Sequence, residues 1–140
     1  MSNLKVGYAE VNANPPLGIG IQGYYIPRYA KGFLDDIEVR AAVISLGDKK
    51  IALISADICG FYANNTDKYC EEIERVTGIP KDNIFLAGTH THTGPCTTKP
   101  DSFEADGDII EEYARFLKQN IYILLQCKNQ PLHQQCLNRS

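Results

Sequence analysis

The central part of the chain, a predicted strand–helix–strand unit, is the feature that most constrains its fold. Residues 51–57 are mostly apolar, as expected of a strand that is covered on both faces. Apolar residues at helical spacing predict a helix from about Asn65 to Thr77, which Gly78 and Pro80 would end. A second strand is predicted over residues 84–90. Because crossovers of this kind are right-handed, the two strands should lie parallel in one sheet.

The flanking segments complete an α/β fold. Alternation predicts an opening strand over residues 5–11, and a tight turn at residues 47–50 joins strand 37–46 to the central strand as a hairpin. An apolar stripe at helical spacing predicts a last helix from Ile109 to about Cys127. The predicted fold is therefore a mixed sheet with a β-hairpin and a parallel βαβ unit, with helices packed on the sheet.

The segment Thr89–Pro95 places two of the three histidines of the chain at the end of the second parallel strand. Strand side chains alternate between faces with period 2, so His90 and His92 would project from the same side of one strand. Gly94 and Pro95 would then end the strand at the rim of the sheet. Two neighbouring imidazoles on a rigid element can supply one metal ligand each, or one ligand and one polar catalytic group.

A purely structural interpretation of this pair stays open, since two half-buried histidines can simply bond backbone carbonyls. The sequence contains no His-Glu-x-x-His or Cys-x-x-Cys string, so the pair alone cannot close a four-coordinate zinc site. Asp57, at the end of the first parallel strand, would reach the same rim. It is either a carboxylate that acts at or near a metal, or one that caps a turn or a helix.

Two further motifs give weak signals. Gly18-x-Gly20-x-x-Gly23 has the letters of a dinucleotide-binding fingerprint, but that motif must open a helix, and Pro27 stands where the first turns would be. A nucleotide site is therefore not expected there. His133 and Cys136 have the spacing of a metal pair, but a frayed tail is the simpler interpretation.

Composition narrows the class of partner and the compartment. The formal net charge of the 140 residues is −3 and no cluster of Lys and Arg occurs, which argues against a nucleic acid or an anionic membrane as partner. No apolar run approaches the roughly 20 residues that span a bilayer. Five scattered cysteines without a Cys-x-x-Cys pair, and an N-terminus without a signal-peptide apolar stretch, predict a cytoplasmic location.

Three segments of the chain occur in an order that is typical of a known family. They are Lys5–Ala9 followed by Asn14–Gly18 and Gly23–Tyr25, then Ile51–Asp57, then Thr77–Pro80 and Asn83–Pro95. In this order they resemble the start of the neutral/alkaline (non-lysosomal) ceramidase family. The resemblance runs from about residue 4 to residue 125, and the Thr-His-Thr-His-x-Gly-Pro string is its most specific part.

The resemblance implies a zinc-dependent amidase that cleaves the N-acyl bond of ceramide into sphingosine and a fatty acid. By this resemblance His90 is a Zn²⁺ ligand, and His92 is a catalytic residue beside the metal and the scissile amide. Gly23 and Tyr24 are implied to line the substrate site. A different N-acyl or small amide substrate stays open, because bacterial relatives need not all use ceramide.

One departure from the family pattern changes the expectation for this chain. The family also uses a second histidine in an Asn-Phe-x-x-His-Pro context, a later glutamate and a tyrosine, and this sequence has none of those segments. We therefore expect residues 1–128 to be the N-terminal part of a truncated catalytic domain with little activity alone, and residues 129–140 to be a disordered polar tail. The alternative is a non-catalytic α/β remnant or interaction module. An incomplete sheet should also self-associate through an exposed edge.

Overall fold

The structure, a computed structural model, describes residues 4–98 and 107–126. The elements in chain order are β1 (Leu4–Asn12), β2 (Glu38–Leu46), β3 (Lys49–Ala56), α1 (Ala63–Thr77), a short 3-10 turn (Lys81–Asn83), β4 (Ile84–Gly88) and α2 (Gly107–Gln126). The last predicted helix is thus confirmed up to Gln126. Cys127, the polar tail and the His133–Cys136 pair lie outside the described residues.

The strands of the described residues form one mixed sheet in the order β1-β2-β3-β4. β1 pairs antiparallel with β2, and β2 pairs antiparallel with β3 across the predicted hairpin. β4 pairs parallel with β3, from Ala52 opposite Ile84 to Ala56 opposite Gly88. The predicted fold class, a mixed sheet with a hairpin and a parallel βαβ unit, is confirmed.

The core lies between one face of the sheet and the two helices of the described residues. Alternate strand residues such as Val39 and Ile54 point into it, and they pack with Ile73 of α1 and with Leu117 and Ile121 of α2. These five side chains are 0–2% exposed. Full burial of one such side chain contributes about 1.5–3 kcal/mol to the free energy of folding. Packing against the two helices therefore stabilises this face of the sheet.

The opposite face of the sheet is not covered by any described residue and is largely apolar. Tyr8, Ala42, Leu53 and Phe85 follow one another in a row across all four strands of this sheet. Phe85 is 63% exposed, and Val6 on the same face is 62% exposed. The predicted self-association of the chain stays a prediction, and this face offers it an apolar surface in addition to the edges at β1 and β4.

Residues with a left-handed backbone follow the ends of α1 and β4. Gly78 ends α1 in the left-handed conformation, with φ of 69°, and its N–H donates to the Glu74 carbonyl at 2.7 Å, as predicted for a helix stop. β4, however, ends at Gly88, so the prediction of a strand through residue 90 was wrong. The chain leaves the ladder because His90 has a φ of 61°, a left-handed conformation that no strand residue can adopt.

Candidate metal centre

Two loops run side by side beyond the carboxyl ends of the parallel strands β3 and β4. The N–H of Thr89 donates to the Ala56 carbonyl at 3.0 Å, and the N–H of His90 donates to the Ile58 carbonyl at 3.1 Å. The approach is close, since a Cβ on Gly88 would lie 2.8 Å from the Cα of Gly60. These contacts carry residues 57–60 alongside the histidine segment, at the place where ligands gather in open α/β sheets.

His90 is held in a defined orientation by the neighbouring loop. Its Nδ1 lies 2.8 Å from the carbonyl oxygen of Cys59, and because a carbonyl only accepts, Nδ1 is the protonated nitrogen. Nε2 therefore carries the free lone pair. A backbone carbonyl on the far nitrogen is the usual support of a metal-binding histidine, so this arrangement favours His90 as a ligand through Nε2. The ring is solvent-exposed.

His92 comes to His90 by a different route from the one predicted. The prediction that strand alternation would place both rings on one side was wrong, because neither residue belongs to β4. The rings nevertheless meet: the two Nε2 atoms are 3.4 Å apart, and the ring centroids are 5.0 Å apart at an angle of 67°. The left-handed turn at His90 achieves this. It costs about 1–2 kcal/mol in a residue with a Cβ, and such conformations cluster at functional sites.

Gly23 lies directly against the His92 ring. A Cβ built on Gly23 would lie 2.5 Å from Cγ and 2.7 Å from Nδ1 of His92, which leaves no room for any other residue. An isolated bridge between Gly20 and Tyr29 closes this loop on itself, and a second bridge between Ile21 and Pro95 ties it to the histidine segment. Residues 24–37, directly after the glycine-rich segment, contain no helix, whereas a dinucleotide fingerprint must open one.

Tyr24 lies beside His92 in an edge-on arrangement, with ring centroids 6.2 Å apart. The guanidinium of Arg28 lies over the Tyr24 ring, 4.3 Å from its centroid. The next two side chains, Tyr25 and Ile26, are 102% and 75% exposed. The structure therefore places both predicted lining residues, Gly23 and Tyr24, against His92, next to an exposed apolar surface.

Cys59 is a candidate that sequence reasoning missed. Its Sγ lies 3.8 Å from Nδ1 of His90, and one ligand atom from each of Cys59, His90 and His92 lies within 4.8 Å of the other two. Among the described residues this is the group of His, Cys and carboxylate side chains that could hold a metal ion. A signal was available, because Cys59 follows Asp57 by two residues at the rim where the parallel strands end.

Asp57, by contrast, has a structural role. Its carboxylate accepts hydrogen bonds from Nη1 of Arg40 at 3.1 and 3.3 Å and from the N–H of Glu38 at 3.1 Å. Arg40 also contacts the Glu38 carboxylate. This ion pair ties the end of β3 to the start of β2, which favours a structural role of Asp57 over a metal role.

Cys96, which follows the histidine segment, is part of a small core rather than of the site. It is 0% exposed and packs with Ile19, Ile110 and Tyr113. Burial raises the pKa of the Cys96 thiol to about 11, with a smaller contribution from Cys59. The thiol is therefore neutral near pH 7 and chemically inert.

The spacing of the two imidazoles fits a single metal ion. Two ligands at 2.0–2.1 Å from one tetrahedral zinc lie about 3.3–3.4 Å apart, and the Nε2 atoms are separated by 3.4 Å. The same separation lies at the long end for a direct hydrogen bond between the two rings. Imidazole and thiol donors are also the types that zinc prefers. The residues present therefore fit a zinc ion.

No protein-family model and no curated protein sequence matches this chain. Solved structures do: a crystal structure of neutral ceramidase from Pseudomonas aeruginosa matches with a TM-score of 0.72 and 16% identity, over 90% of this chain and 21% of that one. A ceramidase complexed with C2 matches with the same TM-score and coverage at 18% identity. The chain thus has the fold of part of a neutral ceramidase and spans about one fifth of the length of these proteins. The likeness to ceramidases predicted from the sequence is confirmed at the level of the fold.

Proposed function

We propose that this chain is the N-terminal part of a zinc-dependent amidohydrolase that cleaves the N-acyl bond of ceramide or of a related lipid amide. The observation that carries the proposal is the pair of exposed imidazoles with Nε2 atoms 3.4 Å apart, at the ligand-binding rim of a ceramidase-like fold. A chain that spans 21% of its structural neighbours is expected to show little turnover without further ligands.

His90 and His92 have different roles in the proposed reaction. His90, whose Nδ1 is held by the Cys59 carbonyl, would hold zinc through Nε2. When bound, zinc polarises the amide carbonyl and lowers the pKa of water toward ~7. His92 is the group that would carry a proton to the leaving amine or stabilise the developing oxyanion, because its Nε2 faces the same point as that of His90.

The surface beside the histidines suits a substrate with a long apolar chain. Tyr24 contacts the His92 ring, and Tyr25 and Ile26 expose most of their side chains directly after it. An exposed apolar patch next to a polar reaction centre is expected where a lipid must place its headgroup and its chain at once. This supports a lipid amide over a small polar amide.

A cytoplasmic location is likewise our proposal.

Zinc binding tests the proposal directly. We expect the purified chain to bind zinc at one equivalent in competition with a chromophoric chelator, and His90→Ala to lose that binding. Thr89→Ala is the matched control, since Thr89 is an exposed neighbour without a nitrogen or sulfur ligand. Equal zinc affinity of wild type and His90→Ala would refute the proposed function. A fluorogenic ceramide assay then measures turnover, which should be small for these 140 residues alone.

A second candidate function is a non-catalytic interaction module. The observation that favours it is the open apolar sheet face, on which Val6, Leu53 and Phe85 are 42–63% exposed. The two candidates differ in their use of metal. An interaction module would retain partner binding after His90→Ala, whereas an amidohydrolase would lose its zinc.

A further inference from the structure

We propose that Cys59, His90 and His92 together form a three-ligand transition-metal site, so that this chain holds an ion with its own residues. The inference rests on the proposed function for the place of the site, and it adds a thiolate to the ligand set. It also assigns His92 a ligand role through Nε2, in place of proton transfer by that nitrogen.

The first argument is the geometry of the three donors. The imidazole nitrogens already have the spacing of two ligands on one tetrahedral ion, 3.4 Å. Sulfur and nitrogen ligands on tetrahedral zinc lie about 3.6 Å apart, and the donor atoms of this group are all within 4.8 Å of one another. The thiol contact at 3.8 Å is with Nδ1 of His90, so the Cys59 side chain has to turn toward the Nε2 atoms to share one ion with them, which a rotamer change can do without a change in the fold.

The second argument is that the surrounding backbone fixes both histidine rings. The backbone of Cys59 itself fixes the His90 ring, through its carbonyl at 2.8 Å from Nδ1. His90 is in turn bent toward the group by its left-handed backbone, with φ of 61°. Gly23 closes the opposite side of His92, since any Cβ there would overlap the ring. Three loops meet at these side chains, and one of them carries backbone strain at His90. Such an arrangement is more typical of a ligand-binding site than of an ordinary protein surface.

The third argument is the chemical class of the donors. One thiolate and two imidazoles select zinc, cobalt and similar ions over magnesium and calcium, which prefer oxygen ligands. Three protein ligands leave the fourth position of a tetrahedral ion open, as in catalytic rather than structural zinc sites. The half-buried Cys59 and the two exposed rings are consistent with an ion that solvent and a substrate can reach.

Cobalt(II) provides the test, because a thiolate ligand adds a sulfur-to-cobalt charge-transfer absorption in the near ultraviolet. We expect the reduced chain to show this absorption with one equivalent of cobalt, and Cys59→Ser to lose it. Affinity should fall by about 100-fold or more, beyond the 10–100-fold typical of a lost outer-shell partner. Cys70→Ser is the matched control, since this half-buried thiol lies on α1 outside the group. His92→Ala should weaken binding as well.

A measurement on the wild-type chain avoids any doubt about folding of the variants. Bound zinc should protect Cys59 from alkylation, as mapped by mass spectrometry, and should leave the labelling of Cys70 unchanged. Charge transfer that persists in Cys59→Ser, or zinc that leaves Cys59 unprotected, would overturn the inference. Zinc binding lost in His90→Ala but kept in Cys59→Ser would overturn it while the proposed function stands. The opposite result, binding lost only with Cys59, would overturn the proposed function.

Discussion

The contact between Gly23 and His92 makes a sharp prediction. Replacing Gly23 with alanine puts a methyl carbon 2.5 Å from Cγ of the imidazole, and carbon atoms pack at about 3.5–4.0 Å. The ring must therefore move by about 1 Å or more, or the loop must withdraw. The first change alters the 3.4 Å spacing between the two Nε2 atoms, and the second removes the contact that holds the His92 ring in place.

The magnitude follows from two separable effects. Gly23 has a φ of 99°, so alanine there should cost about 1–3 kcal/mol of folding free energy through backbone strain. Displacement of His92 should lower metal affinity by about 10–100-fold, or about 1.4–2.8 kcal/mol, as for the loss of a group that positions a ligand. Stability and affinity should thus both fall.

Gly18→Ala is the control that separates these effects. Gly18 has a φ of 90°, so it carries the same kind of backbone cost, but nothing lies within 4 Å of a Cβ built there. Thermal unfolding should show similar destabilisation of both variants. Zinc affinity, measured by chelator competition on the folded proteins, should fall only in Gly23→Ala. Equal affinities of the two alanine variants would refute the idea that Gly23 positions His92.

Other predictions concern the turn, the small core and the open face. His90→Gly should be more stable than His90→Ala by about 1 kcal/mol in chemical unfolding, because glycine accepts the left-handed φ of 61° without strain; equal stabilities would contradict a left-handed turn. The Cys96 thiol, with its pKa raised from 9.0 to about 11, should contribute stability that is fully present below pH 9 and lost as the pH rises through 11. Cys96→Ala should remove that part of the alkaline loss in unfolding curves, and an unchanged pH profile would count against the assignment. Phe85→Lys and Leu53→Lys should reduce self-association in sedimentation velocity, since both side chains lie on the exposed apolar face; association that is unaffected would point to the sheet edges instead.

The course of the strands and helices could be predicted from the sequence because it depends on local pattern. The parallel pairing of β3 and β4 followed from a strand, a helix and a strand at short separation, and Gly78 ended α1 as predicted. The end of β4 could not be predicted in this way. Beyond Gly88, the N–H of His90 donates to the Ile58 carbonyl, a contact across 32 residues that no local pattern contains.

In the candidate site, too, some features follow from local sequence and others depend on long-range contacts. His90 and His92 were identified from their spacing, yet the alternation argument for their meeting was wrong, and Cys59 was missed. The apolar periodicity, the turn residues and the histidine string are properties of neighbouring residues, so the sequence by itself determined the α/β fold and the segment that carries the chemistry. Only the tertiary structure decided that Cys59 and Gly23 reach the two rings, because their distances depend on how three loops pack at one rim. That packing is a sum of long-range hydrogen bonds and close backbone approaches, which exist only once the sheet has formed.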